Sequence, residues 1–141
     1  MDKHGPIVLI DDDEDDLRLL IEIFTELSLP NEIHLFKNTS SVIAFLQRPD
    51  IHPFMIISDI NMPVLNGYEL RQALKNDPEA GKKNIPFLFF STAPYVKRAT
   101  NTGDDSLQGV FRKPQKHAEW KDTLSTIVKY WTLNASENLY E

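Results

Sequence analysis

The chain has 141 residues, which at about 150 residues per domain gives one domain with a single hydrophobic core. Hydrophobic residues make up 41% of it, which excludes a wholly disordered chain, and the net charge of −6 disfavours direct binding to nucleic acid or to anionic membranes. There is no cysteine, so disulfide bonds and thiolate sites are excluded; since there is also no signal peptide and no apolar run near the ~18 residues of a membrane span, we expect a cytoplasmic protein.

Five short apolar segments predict β-strands. Three of them are apolar almost throughout, which is typical of strands that helices cover on both faces. The predicted strands are residues 6–10, 32–36, 54–58, 86–91 and 109–112.

Segments with the helical spacing of apolar residues separate the strands. The second predicted helix begins at a cap residue, Ser40 or Thr39, and the third ends at the turn Asn76-Asp77-Pro78. The fourth contains a turn and is therefore expected to be short, whereas the last carries an apolar stripe that we interpret as core packing. The apolar helical positions lie in residues 17–27, 42–46, 68–74 and 120–131, and the fourth helix is predicted in residues 94–106.

Strands that alternate with helices predict an α/β fold, a parallel five-stranded sheet with helices on both faces. Right-handed crossovers then determine most of the topology. In open parallel sheets, binding sites form beyond the carboxyl ends of the strands. The residues at these ends are therefore the candidates for function.

Four of the five predicted strands end in residues that can carry chemistry. Asp11 and Asp12 follow the first strand, Asp59 the third and Lys113 the fifth, while Ser91 ends the fourth. Three carboxylates at one edge repel one another unless a cation lies among them, and oxygen ligands at a shallow, water-rich site favour Mg²⁺. The cation, the ammonium and the hydroxyl can neutralise a phosphoryl group, and a carboxylate can be the nucleophile that forms an aspartyl phosphate.

Four further acidic residues follow Asp12. We interpret Asp13, Glu14, Asp15 and Asp16 as solvated charges in the first turn of the first helix. An EF-hand calcium loop is excluded, because Asp16 stands where that loop needs glycine. The four histidines lack the spacing of metal ligands and are interpreted as structural or exposed.

The candidate residues lie within four motifs: Val8-Leu9-Ile10-Asp11-Asp12-Asp13, Ser58-Asp59-Ile60-Asn61-Met62-Pro63-Val64-Leu65-Asn66-Gly67, Phe89-Phe90-Ser91-Thr92 and Phe111-Arg112-Lys113-Pro114. Together they resemble the receiver domain of two-component response regulators, of the CheY-like, stand-alone type. The resemblance covers residues 5–133 and implies a flavodoxin-like, doubly wound (βα)5 fold with strand order 2-1-3-4-5. On this basis, residues 134–141 form a polar tail and no effector domain follows.

The resemblance implies that Asp59 accepts a phosphoryl group from a phosphohistidine. The donor would be a sensor histidine kinase or a histidine phosphotransfer protein. A Mg²⁺ ion would be held by Asp59 and Asp12, by Asp11 directly or through water, and by the backbone carbonyl of Asn61. No other cofactor is expected.

The same resemblance assigns the remaining residues of the site. Lys113 would pair with the phosphoryl oxygens, its peptide bond to Pro114 would be cis, and Ser91 would supply the hydroxyl. Gly67 would allow the tight loop before the third helix. Phosphorylation would then bias a surface formed by the fourth helix, the fifth strand and the last helix, which a downstream protein reads. We therefore expect a signalling receiver that catalyses only its own phosphorylation and dephosphorylation, and not an enzyme.

Three features depart from the family pattern. Val110 stands where many receivers have a Tyr or Phe whose orientation reports activation, and strand alternation directs Phe111 to the other face. Thr92 replaces a small residue, and the fourth helix contains a turn at residues 101–105. These departures concern the output surface more than the phosphorylation site.

Other functions remain open alternatives. Val110 favours a receiver that acts as a scaffold independently of phosphorylation, although the intact acidic set disfavours it. Phosphatases of the haloacid-dehalogenase type also form an aspartyl phosphate, but their nucleophile usually follows the first strand and has a second Asp two residues later. In this chain the candidate nucleophile Asp59 follows the third strand, and Asn61 stands two residues later. A flavodoxin-like FMN site is disfavoured because the acidic run after the first strand would repel the cofactor.

Overall fold

Strands and helices alternate along the chain, for which a computed structural model describes residues 2–62, 65–92 and 107–136. The strands are β1 (Ile7–Ile10), β2 (Ile33–Phe36), β3 (Met55–Asp59), β4 (Phe87–Ser91) and β5 (Leu107–Arg112). The helices are α1 (Glu14–Leu27), α2 (Thr39–Leu46), α3 (Gly67–Asn76), α4 (Pro78–Gly81) and α5 (His117–Ser136). The predicted fourth helix, in residues 94–106, lies outside the described residues.

The five strands form one parallel sheet in the order β2-β1-β3-β4-β5, which confirms the predicted topology. Every residue of β1, β3 and β4 is buried, as expected for strands covered on both faces. The register places Ile10 opposite Ser58, and Asp59 opposite Phe90. The carboxyl ends of β1, β3 and β4 therefore meet at one edge of the sheet.

Successive strand residues alternate between two apolar layers. One layer contains Ile7 and Leu9 and packs against α1 and α5; the other contains Val8 and Ile10 and packs against α2 and α3. The predicted stripe of the last helix lies in the first layer and includes Trp120, Leu124, Ile127 and Val128. Its interpretation as core packing is confirmed.

The same alternation places the neighbouring β5 residues Val110 and Phe111 on opposite faces of the sheet. Phe111 packs on the layer with α1 and α5, and Val110 packs on the layer with α2 and α3. The prediction that Phe111 points to the opposite face from Val110 is therefore correct.

Local hydrogen bonds decide where several helices begin. Asn38 caps α2, since its side-chain oxygen accepts from the backbone N–H of Ser41 at 2.9 Å. The predicted caps Ser40 and Thr39 were wrong: both lie inside the helix, and Asn38 has the preferred cap chemistry one residue earlier. After α3, Asp77 caps a short extra helix, α4, that the sequence analysis interpreted only as a turn.

The last helix extends further than expected. It reaches Ser136, three positions past the predicted domain end at residue 133. Its outer positions include Tyr130 and Leu133, which are 58% and 68% exposed. Among the described helices, none combines the length and apolar character needed to cross a membrane.

Candidate functional site

The three acidic residues predicted from two strand ends come together in the structure. One carboxylate oxygen each from Asp11, Asp12 and Asp59 lie within 4.8 Å of one another. Asp11 and Asp59 are 3% and 9% exposed, whereas Asp12 faces solvent. The register explains this convergence, because Asp11 directly follows Ile10, which pairs with the residue before Asp59.

The basic residue of the set also reaches this cluster. The Nζ atom of Lys113 lies 2.9 Å from Asp11 Oδ2 and 3.6 Å from Asp59 Oδ2, and its side chain is only 9% exposed. The backbone N–H of Lys113 donates to the carbonyl of Ser91 at 2.8 Å, which joins the ends of β4 and β5. Ser91 is fully buried at the end of β4, the strand that pairs with β3 and so lies next to Asp59. The predicted set thus shares one edge of the sheet.

One residue of this site was missed by the sequence analysis. Asp16 Oδ2 lies 2.6 Å from Lys113 Nζ, the shortest of the three carboxylate distances to that ammonium. The interpretation as a solvated first-turn charge holds for Asp15, whose side chain is 88% exposed, but fails for Asp16 at 27%. A signal was present: Asp16 precedes the buried Leu20 by four residues, so it shares the core-facing side of α1.

Burial and charge perturb the titration of the two buried carboxyls. Burial raises the pKa of Asp11 to about 6, against the opposing effect of a 2.9 Å hydrogen bond from the backbone N–H of Asp13 and of the nearby Lys113. Burial likewise raises the pKa of Asp59, opposed by the charge of Lys113 and by the backbone N–H groups of Asn61 and Ile60. Ionisation of Asp11 and Asp59 therefore costs more free energy in the folded protein than in water.

The ammonium shows the opposite balance. Burial alone would lower the pKa of Lys113, but its hydrogen bonds to Asp16 and Asp11 outweigh that and raise it above its ordinary value. Lys113 is consequently a permanent positive charge at the edge of the site. It compensates only part of the negative charge of Asp11, Asp12, Asp16 and Asp59, and the imbalance favours binding of a cation.

The donor atoms fit a hard divalent cation. The cluster offers only carboxylate oxygens, two of them from buried groups whose ionised forms gain from a nearby positive charge. Asn61 comes two residues after Asp59, where its backbone is already oriented by the N–H contact with the Asp59 carboxylate. The structure thus brings the three predicted carboxylate ligands to one place, with the backbone N–H of Asn61 at the Asp59 carboxylate.

The loop after β3 requires glycine where α3 begins. The N–H of Gly67 donates to the carbonyl of Ile60 at 2.7 Å. A Cβ atom at this position would lie 2.5 Å from the carbonyl oxygen of Asp59 and 2.8 Å from the ring of Phe89. The close approach explains the glycine that the motif places here.

One prediction about the backbone is wrong. No peptide bond among the described residues is cis, so the bond between Lys113 and Pro114 is trans. The trans isomer is the lower in energy for bonds that precede proline, by about 0.5–1 kcal/mol. Lys113 reaches Asp11 and Asp16 from this trans geometry.

A second group of potential ligands lies away from this edge. Glu22 and Glu26 of α1 and His117 of α5 bring ligand atoms within 4.8 Å of one another. The ring Nε2 of His117 is 2.9 Å from Glu26, and Lys121 Nζ is 3.6 Å from the same carboxylate. These groups are exposed and Glu26 contacts both His117 and Lys121, so we interpret them as a surface link between α1 and α5.

Comparison with known proteins identifies the family. A family model for the response regulator receiver domain matches residues 7–125. The chain is 27% identical over 100 residues to response regulator Rcp1 of Synechocystis sp., a match that covers 65% of this chain and 67% of Rcp1.

Solved structures show the same fold. The phosphorylated cyanobacterial phytochrome response regulator RcpA superposes with a TM-score of 0.75 at 24% identity, covering 92% of this chain and 94% of RcpA. The receiver domain of sensor histidine kinase PA1611 from Pseudomonas aeruginosa, which has magnesium coordinated in its active-site cleft, superposes with a TM-score of 0.70 at 18% identity, covering 90% and 96%. Since the family model spans most of the sequence, this chain belongs to the family of response regulator receiver domains.

Proposed function

We propose that this protein is a response regulator of a two-component or phosphorelay system that accepts a phosphoryl group on Asp59 in a Mg²⁺-dependent reaction. Its donors are a sensor histidine kinase or a histidine phosphotransfer protein. The observation that carries the proposal is the position of Asp59, buried beside Asp11 and Asp12 and 3.6 Å from the ammonium of Lys113. It acts as a signalling protein, and the only reactions it catalyses are its own phosphorylation and dephosphorylation.

The reaction is a transfer between two nucleophiles. A carboxylate oxygen of Asp59 attacks the donor phosphorus, a new oxygen–phosphorus bond forms, and the phosphorus–nitrogen bond of the phosphohistidine breaks. The donor ring leaves with that electron pair and takes up a proton. A Mg²⁺ ion bound at this site would supply positive charge to the phosphoryl oxygens.

The residues of the chain prepare this transfer. The N–H groups of Ile60 and Asn61 hold the Asp59 carboxylate in one orientation, and they favour its ionised form. Asp11 and Asp12 provide the remaining carboxylates for the metal, and Asn61 its backbone carbonyl. Lys113 pairs with the phosphoryl oxygens, and the hydroxyl of Ser91 donates to them once the group is on Asp59.

The output surface comprises β5, α5 and the predicted fourth helix. Support comes from a groove of about 620 Å³ against β5 and α5, lined chiefly by apolar side chains that include Phe111, Ile127 and Trp131. Tyr130, 58% exposed, lies on its rim. Such an apolar groove with a polar rim is a surface that a downstream protein can read.

The direct test is the intact mass of the protein after incubation with acetyl phosphate, with and without Mg²⁺. Wild type should gain one phosphoryl group only when Mg²⁺ is present, and Asp59→Asn should gain none. Asp15→Asn is the matched control, because it removes an exposed aspartate from the same region and should leave the gain intact.

Two results would contradict the proposal. A gain that persists in Asp59→Asn would place the acceptor elsewhere. Failure to gain a phosphoryl group from acetyl phosphate, and also from a panel of phosphorylated histidine kinases, would favour the scaffold alternative.

A further inference from the structure

The ammonium of Lys113 is shared unequally among three carboxylates. Its Nζ lies 2.6 Å from Asp16 and 2.9 Å from Asp11, both hydrogen-bond distances, but 3.6 Å from Asp59. Charge-assisted N–H···O bonds have lengths of about 2.7–2.9 Å, so the contact with Asp59 is outside that range. In the unphosphorylated protein, Lys113 is thus bonded to Asp16 and Asp11 and only near Asp59.

The position of Asp16 makes it a strong competitor for this ammonium. Its side chain is 27% exposed and that of Lys113 is 9% exposed, so solvent screens their attraction far less than that of a surface ion pair. Asp16 belongs to the first turn of α1, a helix fixed by four buried residues, Leu17, Leu20, Ile23 and Phe24. The carboxylate is therefore presented to Lys113 by a rigid element.

The proposed reaction gives Lys113 a new anionic partner. Phosphoryl oxygens on Asp59 need a positive charge within hydrogen-bond distance, and Lys113 is the described cation that lies beside this carboxylate. An ammonium has three N–H donors, of which Asp16 and Asp11 take two in the unphosphorylated protein. We infer that the approach of Lys113 to a phosphoryl oxygen on Asp59 weakens its short bond to Asp16.

We propose that Asp16 is a positioning residue that holds Lys113 away from Asp59 and thereby slows phosphorylation of Asp59. This inference rests on the proposed function of Asp59 as the acceptor. Asp16 acts through Lys113 and touches neither the phosphoryl group nor the metal. It sets how readily the ammonium transfers to the phosphoryl oxygens.

The test compares initial rates of phosphorylation by acetyl phosphate at saturating Mg²⁺ in wild type and three variants. Asp16→Asn preserves the side-chain shape but removes the charge, and it should react about tenfold faster, the factor that corresponds to the loss of one charge-assisted hydrogen bond partly shared with solvent. Asp16→Glu restores the carboxylate and should return the rate towards that of wild type. Asp15→Asn removes an equal charge one residue away, from a side chain that is 88% exposed, and should react like wild type.

A second measurement reports on the lysine itself and needs no phosphorylation. The NMR signal of the Lys113 ammonium, recorded in the metal-free protein, should shift in Asp16→Asn and stay in place in Asp15→Asn. Urea unfolding of each variant verifies that the fold is retained.

The outcomes separate this inference from the proposed function. If wild type is phosphorylated and Asp59→Asn is not, but Asp16→Asn reacts at the wild-type rate or more slowly, the positioning role is refuted and the acceptor role stands. Equal acceleration in Asp16→Asn and Asp15→Asn would also refute it, because the effect would then come from net charge. If wild type accepts no phosphoryl group at all, the proposed function fails.

Discussion

Burial of Asp11 is expected to lower the stability of the metal-free protein as the pH rises from about 4 to about 7. Burial raises the pKa of this carboxyl from 3.8 to about 6. The folded protein therefore binds this proton more tightly than the unfolded chain does. The resulting stabilisation is fully present below about pH 4 and is lost as the pH rises through about 6.

The magnitude follows from the difference between the folded and unfolded pKa values of Asp11. About two pH units at roughly 1.4 kcal/mol each give about 3 kcal/mol in all, of which about 2 kcal/mol is lost between pH 4 and pH 7.5. The control is Asp11→Asn, which cannot ionise but keeps an oxygen that can accept from the N–H of Asp13. The new amide beside Lys113 also changes the free energy of unfolding. This change does not depend on pH, so it cancels when only the variation with pH is compared.

The assay is urea unfolding with a chelator present, at several pH values between 4 and 7.5. The free energy of unfolding of wild type minus that of Asp11→Asn should fall by about 2 kcal/mol across this range. In the proposed site Mg²⁺ binds the ionised carboxylate, and added Mg²⁺ should therefore stabilise wild type more at pH 7.5 than at pH 5, and Asp11→Asn much less. A difference that stays flat with pH, or that grows in favour of wild type, would refute the reasoning.

Three substitutions test the packing that supports the site. Leu124 is fully buried in the layer between the sheet and α5. Leu124→Ala should therefore lower the free energy of unfolding by about 2–5 kcal/mol in urea titrations. A loss well below about 1 kcal/mol would contradict its place in the core. Asn66→Ala removes the capping box that Asn66 forms with Glu69, so it should cost about 1 kcal/mol of stability while the phosphorylation rate from acetyl phosphate stays unchanged. Gly67→Ala should reduce both the stability and the rate of phosphorylation by acetyl phosphate, since its Cβ would lie 2.5 Å from the carbonyl oxygen of Asp59. An unaltered rate would show that the loop can move without disturbing Asp59.

The fold class and the convergence of most candidate site residues could be predicted from the amino-acid sequence alone. Apolar runs without alternation predicted strands buried on both faces, and β1, β3 and β4 are buried throughout. The rule that sites lie at the carboxyl ends of parallel strands then predicted that Asp11, Asp12, Asp59 and Lys113 lie at one edge of the sheet. This succeeded because strand direction and register leave little freedom for a residue that directly follows a strand.

Other features depended on contacts between elements that are distant in sequence. Asp16 looked like its exposed neighbour Asp15, and only the rotation of α1 against the sheet edge brings it to Lys113, 97 residues further along the chain. The trans bond before Pro114 and the extension of α5 to Ser136 are likewise absent from the local patterns. Local spacing determines which side of a helix or strand a residue occupies, but the packing of these elements decides which partner it meets there. That packing makes Asp16, a charge in the first turn of α1, part of the site.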